Sequence, residues 1–518
     1  MSPRLSQAFA LLPEYLGWHV LLSFSALTLG VAISLPLAVA ASRSGRLRWP
    51  VLAGASLIQT IPSLALLALF FPLLLALSAA SHALFGRGFS ALGFLPSLLA
   101  LTLYSMLPIL RNGTAGILGV DPAIRDAAEG VGMTSGQRLW QVELPLAAPV
   151  IMAGVRTAAV WTIGAATLST PVGQTSLGNY IFAGLQTENW VYVLFGCAAS
   201  AILALVADQL LGLIETAARR RSLRLLLIGL GGLVGAVALA IAPLGIGLSK
   251  PAYVIGAKNF SEQYILAELM AGRVEKTGAK VSRKEDLGSV VAYRALASGE
   301  IDAYVDYSGT LWANVLNRKD NPGRAEMLKQ LTAGLAQRDG VAVLGSLGFE
   351  NAYAFVMRPD RAKDLRVTSI ADLAAQASRL TLGSDLEFLS RPEWKAVESA
   401  YGLKFKASRS YQPTFMYRAL SGGEADVISA FSSDGRIAAD HLVILTDTKA
   451  AIPPYDAVIL ISPRRAHDQR LINALKPLIG KINVALMQSA NLSVDRDADK
   501  DSPAEAAKAL DRQILPSP

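Results

Sequence analysis

Long apolar stretches dominate the first half of the chain. Six of them contain few charged residues and are long enough to cross a bilayer, which takes roughly 20 helical residues. They lie near residues 20–41, 51–79, 94–111, 147–169, 190–214 and 223–248. Ile61-Pro62-Ser63 interrupts the second stretch and predicts a bend there, because proline cannot donate the backbone hydrogen bond of a continuous helix. The pattern predicts an α-helical membrane domain with about six spans.

From residue 251 onward, short apolar runs alternate with helical stretches. Residues 252–256 have the pattern of a strand, and residues 261–275 that of a helix which Ser261 is suited to cap. Such alternation predicts an α/β domain. We expect two lobes: the first over about 251–358 and 450–518, the second over about 359–449. The strands expected in the second lobe are 380–383, 425–430 and 442–445.

Positive charge distinguishes the two sides of the predicted membrane domain. Cytoplasmic loops of membrane proteins are enriched in Lys and Arg. Ten arginines follow the first, third and fifth apolar stretches: Arg43, Arg46, Arg48, Arg111, Arg125, Arg138, Arg219, Arg220, Arg221 and Arg224. Their distribution predicts that loop 121–145 is cytoplasmic. The expected organisation is a helical membrane domain over 1–222, a transmembrane tether over 223–250 and an extracytoplasmic domain over 251–518.

Composition excludes several functional classes. Residues 1–250 hold 14 Lys+Arg and 8 Asp+Glu, and the remaining residues hold 34 and 32, so the isoelectric point of 9.4 gives no argument for nucleic acid binding. The four histidines lack ligand spacing, so we predict no metal site. The GxxxxGK[ST] pattern of a phosphate-binding loop is absent, and so are nucleophile-elbow and zinc motifs. We expect a non-enzymatic chain without its own cofactor.

Two ionisable residues in the apolar stretches have more than one interpretation. Arg156 lies in the fourth stretch and Asp208 in the fifth, where charge is costly in hydrocarbon. Arg156 is interpreted either as part of a transport pathway or bundle ion pair, or as a structural arginine that bonds helix-end carbonyls or extends toward the surface. The sequence leaves these interpretations open.

The segment between the third and fourth apolar stretches contains a spaced motif. Asp126-Ala127-Ala128 is followed by Gly132 and then by Val142-x-Leu144-Pro145. The motif resembles the EAA loop of ABC-importer permeases, with Asp for Glu and Val for Ile. The resemblance implies a MetI-like permease whose short cytoplasmic helix couples to a separate ATPase, which binds the ATP and Mg. Small alanines allow close approach, Gly132 permits a turn, and we expect Pro145 to stop the helix.

The second half carries several motifs in a characteristic order. They are Gly256-Ala257-Lys258-Asn259-Phe260-Ser261-Glu262-Gln263, Asp306-Tyr307-Ser308-Gly309-Thr310, Asn351-x-Tyr353, Glu387-Phe388-x-x-Arg391-Pro392, Phe431-Ser432-Ser433-Asp434-Gly435-Arg436-Ile437 and Pro453-Pro454-Tyr455-Asp456. In this order they resemble the osmoprotectant-type binding proteins of ABC importers. That resemblance implies a two-lobed α/β fold of the type II periplasmic-binding-protein class and a ligand such as glycine betaine, carnitine or choline.

The resemblance also implies the residues of the site. Tyr307, Tyr353, Phe431 and Tyr455 match an aromatic box for trimethylammonium, although Phe431 replaces the usual tyrosine. A quaternary ammonium has no proton to donate, so aromatic faces are its best uncharged partners. Lys258, Arg391 and Thr310 match positions that hold a betaine carboxylate, which makes choline the weaker candidate. Tyr304 is an alternative to Tyr307 in the box.

Together these patterns predict the permease and binding subunit of an importer in the bacterial cytoplasmic membrane. The expected partners are a cytoplasmic ABC ATPase, a second copy of the chain, the bilayer and a small quaternary amine. One alternative keeps the importer but changes its cargo to ergothioneine, another bulky betaine or an ordinary amino acid. Another alternative, a membrane-tethered chemoreceptor for quaternary amines, is disfavoured by the coupling motif.

Overall fold

A computed structural model describes residues 3–85, 89, 91–187, 189–245, 252–318, 320–385, 388–411, 413–496 and 499–514. Glu387 of the predicted motifs and the predicted boundary at residue 250 lie outside these residues. The chain divides into two compact units, one formed by residues 1–184 and 190–249, the other by residues 185–189 and 250–518.

The first unit consists of helices. They are α1 (Pro3–Arg43), α2 (Gly45–Thr60), α3 (Ser63–Phe85), α4 (Phe94–Leu118), α5 (Pro122–Gly130), α6 (Ser135–Arg138), α7 (Leu144–Ala166), α8 (Gly178–Gln186), α9 (Trp190–Arg220) and α10 (Leu223–Gly245). Among the described residues, six helical segments are long and apolar enough to cross a membrane. The second predicted stretch bends as expected, because Ile61 leaves helical geometry with ψ 127° and separates α2 from α3.

Small residues let the membrane helices pack closely. In the contact between α1 and α4, a Cβ added at Gly113 would lie 2.9 Å from the Cβ of Ala38. The predicted tether, α10, also packs along the bundle, since a Cβ at Gly229 would lie 2.7 Å from the Ile214 side chain of α9. The last apolar helix is therefore a member of the helical bundle.

An ion triad joins α7 to α9 and resolves the alternatives for Arg156. Its Nε and Nη2 donate to Asp208 at 2.9 and 2.8 Å, and its Nη1 donates to Glu215 at 2.7 Å. The side chains are between a fifth and a third exposed. Arg156 therefore forms a bundle ion pair with two carboxylates of one neighbouring helix.

The loop over residues 121–145 begins with the short helix α5 and continues through α6 toward the apolar helix α7. Asp121 caps α5, and Gly132 forms the expected turn with φ +84°, a left-handed conformation that favours glycine. Our expectation for Pro145 is wrong. A π-helical turn over Leu139–Glu143 connects α6 to α7, and Pro145 occupies the first turn of α7. Glu143 and Leu144 keep helical φ and ψ, so the helical path continues from the π turn through Pro145 into α7.

The second unit contains ten strands and twelve α-helices among its described residues. The strands are β1 (Tyr253–Lys258), β2 (Val281–Leu287), β3 (Ala303–Tyr307), β4 (Ala342–Glu350), β5 (Tyr353–Met357), β6 (Thr381–Ser384), β7 (Ala407–Ser410), β8 (Val427–Phe431), β9 (Val443–Ile444) and β10 (Asp456–Ile461). The α-helices are α11 (Ser261–Glu275), α12 (Ser289–Ala297), α13 (Ser308–Thr310), α14 (Arg324–Asp339), α15 (Pro359–Leu365), α16 (Ile370–Gln376), α17 (Pro392–Tyr401), α18 (Pro413–Ser421), α19 (Gly435–Ala439), α20 (Gln469–Leu475), α21 (Val484–Asp495) and α22 (Pro503–Ile514).

The strands form two five-stranded mixed sheets, one for each lobe. The first has the order β2-β1-β3-β10-β4 and the second β7-β6-β8-β5-β9. Our expectation placed residues 351–357 in the first lobe with a crossover near 358. Instead β5 pairs with β8 and β9 of the second sheet, so the chain changes lobes at residues 351–352. Both flanking segments are short and apolar, which is why the pattern does not reveal the change of sheet.

The start of α11 also differs from expectation. Phe260 occupies the N-cap position, and the Ser261 hydroxyl donates to the Asp495 carboxylate at 2.6 Å instead of capping the helix. This contact joins the start of α11 to the end of α21, more than two hundred residues later. Ser261 is therefore a tertiary contact residue.

Candidate ligand-binding site

One cavity of about 220 Å³ is lined by residues from both sheets of the second unit. Strand ends position its aromatic side chains, because Tyr307 ends β3, Tyr353 begins β5, Phe431 ends β8 and Tyr455 precedes β10. All seven predicted ligand residues line it, the other three being Lys258, Thr310 and Arg391. Motifs spread over almost two hundred residues thus meet at one cavity.

Three aromatic rings form a contiguous group at this cavity. Tyr353 and Phe431 are direct partners in the antiparallel pairing of β5 and β8, and their ring centroids lie 5.1 Å apart. Tyr455 meets Tyr353 edge-on at 5.9 Å. Gly309 allows this arrangement, since a Cβ there would lie 2.6 Å from the Tyr455 ring. Strand register and a glycine therefore set the spacing of these rings.

Tyr307 lines the same cavity in a different setting. Its ring stacks on Phe260 with centroids 6.2 Å apart, and its hydroxyl donates to Glu262 at 2.6 Å. The alternative, Tyr304, is fully buried and donates to Asp306 at 2.5 Å. Tyr304 is not among the residues that line the cavity. The structure therefore favours Tyr307 over Tyr304 as a residue in reach of a ligand.

Lys258 forms a buried ion pair inside the protein. Its Nζ donates to the Asp306 carboxylate, and both side chains are almost completely buried. The ammonium also lies 5.3 Å from the centre of the Tyr307 ring. Lys258 therefore reaches the cavity as half of an ion pair.

Arg391 contacts residues of both lobes. As N-cap of α17 it pairs with Glu393 in the first turn of that helix, at 3.2 Å from Nε and 3.3 Å from Nη2. Its Nη2 lies 3.4 Å from the Thr310 hydroxyl and 3.4 Å from the Tyr455 hydroxyl. The guanidinium carbon lies 5.6 Å from the centre of the Tyr353 ring. Arg391 thus bonds across the cavity and covers a face of one predicted cage ring.

Glu262 is a buried acid at the cavity that the sequence analysis did not assign. Besides the Tyr307 hydroxyl, it accepts from Asn351 Nδ2 at 3.1 Å and Asn491 Nδ2 at 2.9 Å. Burial raises the pKa of the Glu262 carboxyl, while these hydrogen bonds oppose the rise. The sequence could have indicated this acid, because Glu262 lies inside the motif that runs from Gly256 to Gln263. Its partner Asn491 comes from α21, which carries none of those motifs.

A second ion cluster borders the cavity. Arg436 pairs with Asp434 at 3.1 Å and approaches Asp495 to 3.9 Å, and its guanidinium lies 4.2 Å from the Tyr417 ring centre. Burial raises the pKa of Asp495 to about 6, and Arg436 opposes that rise. The sequence analysis quoted Arg436 and Asp434 within a motif but gave them no role. The cavity is therefore bordered by several carboxylates as well as by aromatic rings.

Comparison with known proteins finds relatives of both halves. Residues 251–513 match the family of the substrate binding domain of the ABC-type glycine betaine transport system, and residues 30–220 match the binding-protein-dependent transport system inner membrane component. The ergothioneine transport permease/ergothioneine binding protein EgtU of Helicobacter pylori is 28% identical over 492 residues, 91% of this chain and 84% of that protein. Similarity to that relative thus extends over both halves in one polypeptide.

Further relatives correspond to one half each. The choline transport system permease protein OpuBB of Bacillus subtilis is 41% identical over 197 residues, which cover 38% of this chain and 83% of that protein. The carnitine transport binding protein OpuCC of Listeria monocytogenes is 31% identical over 256 residues, 48% of this chain and 83% of that protein. Each of these two relatives therefore aligns with less than half of this chain but with most of its own length.

Proposed function

We propose that this chain, which belongs to the family of substrate-binding domains of ABC-type glycine betaine transport systems, captures small quaternary ammonium compounds for import through its own permease half. The observation that supports this ligand class is the group of aromatic rings at one cavity, Tyr353 with Phe431 and Tyr455, and Tyr307 beside them. Each ring face contributes about 0.5–2 kcal/mol to holding a desolvated cation.

The remaining cavity residues are suited to the group that the ligand carries opposite its trimethylammonium. Glycine betaine and carnitine carry a carboxylate, for which the fork of Arg391 and the hydroxyl of Thr310 are suitable partners. Choline carries a hydroxyl and a net positive charge, which suits the carboxylates that border the cavity. We expect the two lobes to close over the ligand about the two segments that connect their sheets.

The import stroke is assigned to a separate subunit. We propose that α5 docks on a cytoplasmic ABC ATPase that holds ATP and Mg, with Asp126 and Ala127 on its exposed surface and Ala128 buried against the loop. Gly132 then provides the turn, and Leu144 and Pro145 begin the span that receives the motion. The proposed assembly is a homodimer in the bacterial inner membrane, with the binding unit outside.

A second cargo is favoured by one specific observation. The relative that aligns with 91% of this chain is named for ergothioneine, a betaine that carries a ring beside its trimethylammonium. The same aromatic group would hold that cation, so the two candidates differ in what fills the rest of the cavity. Ergothioneine therefore belongs in any ligand panel.

Calorimetric titration of the full-length chain in lipid nanodiscs tests the ligand class. The panel contains choline, glycine betaine, carnitine and ergothioneine, with dimethylglycine and leucine as controls that lack the trimethylammonium. We expect at least one quaternary amine to bind and dimethylglycine to bind more weakly than glycine betaine. Binding of leucine without binding of any quaternary amine would overturn the proposed function.

The coupling assignment has its own test. The chain is reconstituted with its ATPase, and ligand-stimulated ATP hydrolysis is measured beside ligand binding. Gly132→Glu places a bulky side chain at a φ of +84°, where L residues are strained. We expect this variant to bind ligand normally and to lose stimulation, and normal stimulation would contradict the assigned loop.

A further inference from the structure

The cations at the cavity share a property that the motifs do not predict. Three of the described residues that line it are cationic, and each has a carboxylate partner inside the protein. Lys258 pairs with Asp306, Arg391 with Glu393 and Arg436 with Asp434. A ligand carboxylate therefore meets positive charges that are already compensated.

We propose that Glu393 sets the charge preference of the site by occupying Arg391, and so favours quaternary amines of net positive charge over zwitterionic betaines. This inference rests on the proposed function, because it concerns which members of that ligand class the same cavity prefers. It reverses our expectation that Arg391 makes choline the weaker candidate.

Geometry makes Glu393 a substitute for a ligand carboxylate. Both of its oxygens contact the guanidinium of Arg391, and one of them also accepts from the Tyr455 hydroxyl. These are groups that would otherwise be directed at a betaine. Glu393 is only 2% exposed, and it lies in the first turn of α17, where the helix dipole favours an acid. Fold and local electrostatics therefore hold this carboxylate in place.

Arg391 itself occupies space that a quaternary ammonium would use. Its guanidinium carbon lies 5.6 Å from the Tyr353 ring centre, within the range of a cation-π contact. The pair Arg391–Glu393 thus imitates a zwitterion, with its cation on an aromatic face and its anion against a tyrosine hydroxyl. A betaine has to displace both charges of this pair, whereas choline has to displace only the cation from the ring.

Acids that line the cavity also favour a ligand of net positive charge. Glu262 is almost fully buried and lines the cavity, and Asp495 lines it beside Arg436. Neither belongs to one of the three close pairs, since Glu262 accepts from neutral donors and Asp495 lies 3.9 Å from Arg436. To the extent that they are ionised, these acids attract a net cation and repel a carboxylate.

Glu393→Gln tests the proposal in the full-length chain in nanodiscs. The amide keeps the shape of the side chain but removes the charge that compensates Arg391. We expect the affinities of glycine betaine and carnitine to rise about tenfold, because a ligand carboxylate now relieves an uncompensated buried cation. Choline affinity should fall, because choline adds positive charge beside that cation. The parent chain should bind choline more tightly than glycine betaine.

Two further variants test whether the effect is specific to the charge of Glu393 beside Arg391. Glu398→Gln makes the same change at an exposed position of the same helix, and all affinities should remain within about twofold of the parent's. Arg391→Gln combined with Glu393→Gln removes both charges, and this double variant should lose the betaine gain. If Glu393→Gln does not fold, Glu393→Asp is measured, and its shorter carboxylate should give the same change with a smaller amplitude.

The measurements distinguish failure of this inference from failure of the proposed function. If no quaternary amine binds the parent chain, the proposed function is wrong. If quaternary amines bind the parent but Glu393→Gln changes betaines and choline by the same factor, Glu393 has only a structural role and this inference is wrong. A parent chain that prefers glycine betaine to choline would also overturn it.

Discussion

Buried ion clusters are built differently in the two halves of the protein. In the membrane half, the fully buried carboxylate of Glu143 lies within ion-pair distance of three arginines. Arg43 donates from the end of α1 at 3.1 Å, and the Nε atoms of Arg138 on α6 and Arg125 on α5 lie 3.3 and 3.7 Å away. In the binding half, each cation at the cavity has a carboxylate of its own.

The difference shows two uses of buried charge. Glu143 connects the end of α1, the helices α5 and α6 and the start of α7, so its loss would remove the contact that joins these segments. The cavity pairs are local and almost neutral, so a ligand can exchange with one of them without disturbing the others. Removal of one partner leaves a buried charge uncompensated in either case, and the cost should rise with the number of partners left.

The largest effect is expected from Glu143→Gln. It leaves three guanidiniums around a neutral amide, so we expect a loss of stability of about 5 kcal/mol, the upper end for breaking a buried ion pair. Thermal unfolding of the full chain in nanodiscs measures it, and ligand-stimulated ATP hydrolysis should fall with it. Glu129→Gln is the matched control, because that carboxylate also contacts Arg138 but is 61% exposed. Equal stability of the two variants would contradict the central role of Glu143.

Lys258→Met sharpens the comparison at the cavity. The substitution leaves the buried Asp306 carboxylate without its cationic partner, which should lower the free energy of unfolding by about 4 kcal/mol. Because Lys258 is already paired, the ratio of betaine to choline affinity should remain close to the parent's. Lys276→Met, at a 63% exposed side chain that pairs with Asp511, should change stability by less than about 1 kcal/mol. Selective loss of betaine binding in Lys258→Met would show that Lys258 contacts the ligand carboxylate after all.

A pH titration of stability examines the acid beside Arg436. The pKa of Asp495 is about 6 in the folded chain, above its usual value of 3.8, so the folded state binds the proton more tightly than the unfolded state. The resulting stabilisation is complete below about pH 4 and is lost as pH rises through 6, and it amounts to no more than about 3 kcal/mol. Asp495→Asn should flatten the stability curve between these values. An unchanged slope would mean that Asp495 titrates normally.

The smallest effect is expected from Tyr353→Leu. Leucine retains apolar bulk but offers no aromatic face, so trimethylammonium ligands should weaken by about 1 kcal/mol without regard to their carboxylates. Phe355→Leu makes a comparable change two residues along β5, at a ring that packs on Phe388 and is not among the residues that line the cavity. Titration of choline into both variants should show weaker binding for Tyr353→Leu alone. Equal weakening would indicate that core packing, and not the ring face, explains the loss.

Much of the architecture could be predicted from local pattern. Hydropathy predicted the six spans, and the break at Pro62 was predicted because proline affects its own helix. Motif order predicted that seven side chains separated by up to two hundred residues would line one cavity. The errors share a cause. Pro145, Ser261 and the change of sheet after residue 350 depend on what the adjoining segment does, and local pattern does not report it.

The sequence alone determined which segments are apolar and which are α/β, because these follow from periodicity. The side chains expected to hold a quaternary amine were implied by the order of the motifs, and their role stays a prediction. Tertiary structure alone decided the charge partners. Glu143 meets Arg43 across 100 residues, and Glu262 meets Asn491 across 229. Glu393 and Asp434 each lie two residues from their arginines in the chain, and even there burial, not proximity, makes the contact strong. A charge-charge interaction depends on distance in space and on exclusion of water, and the fold supplies both.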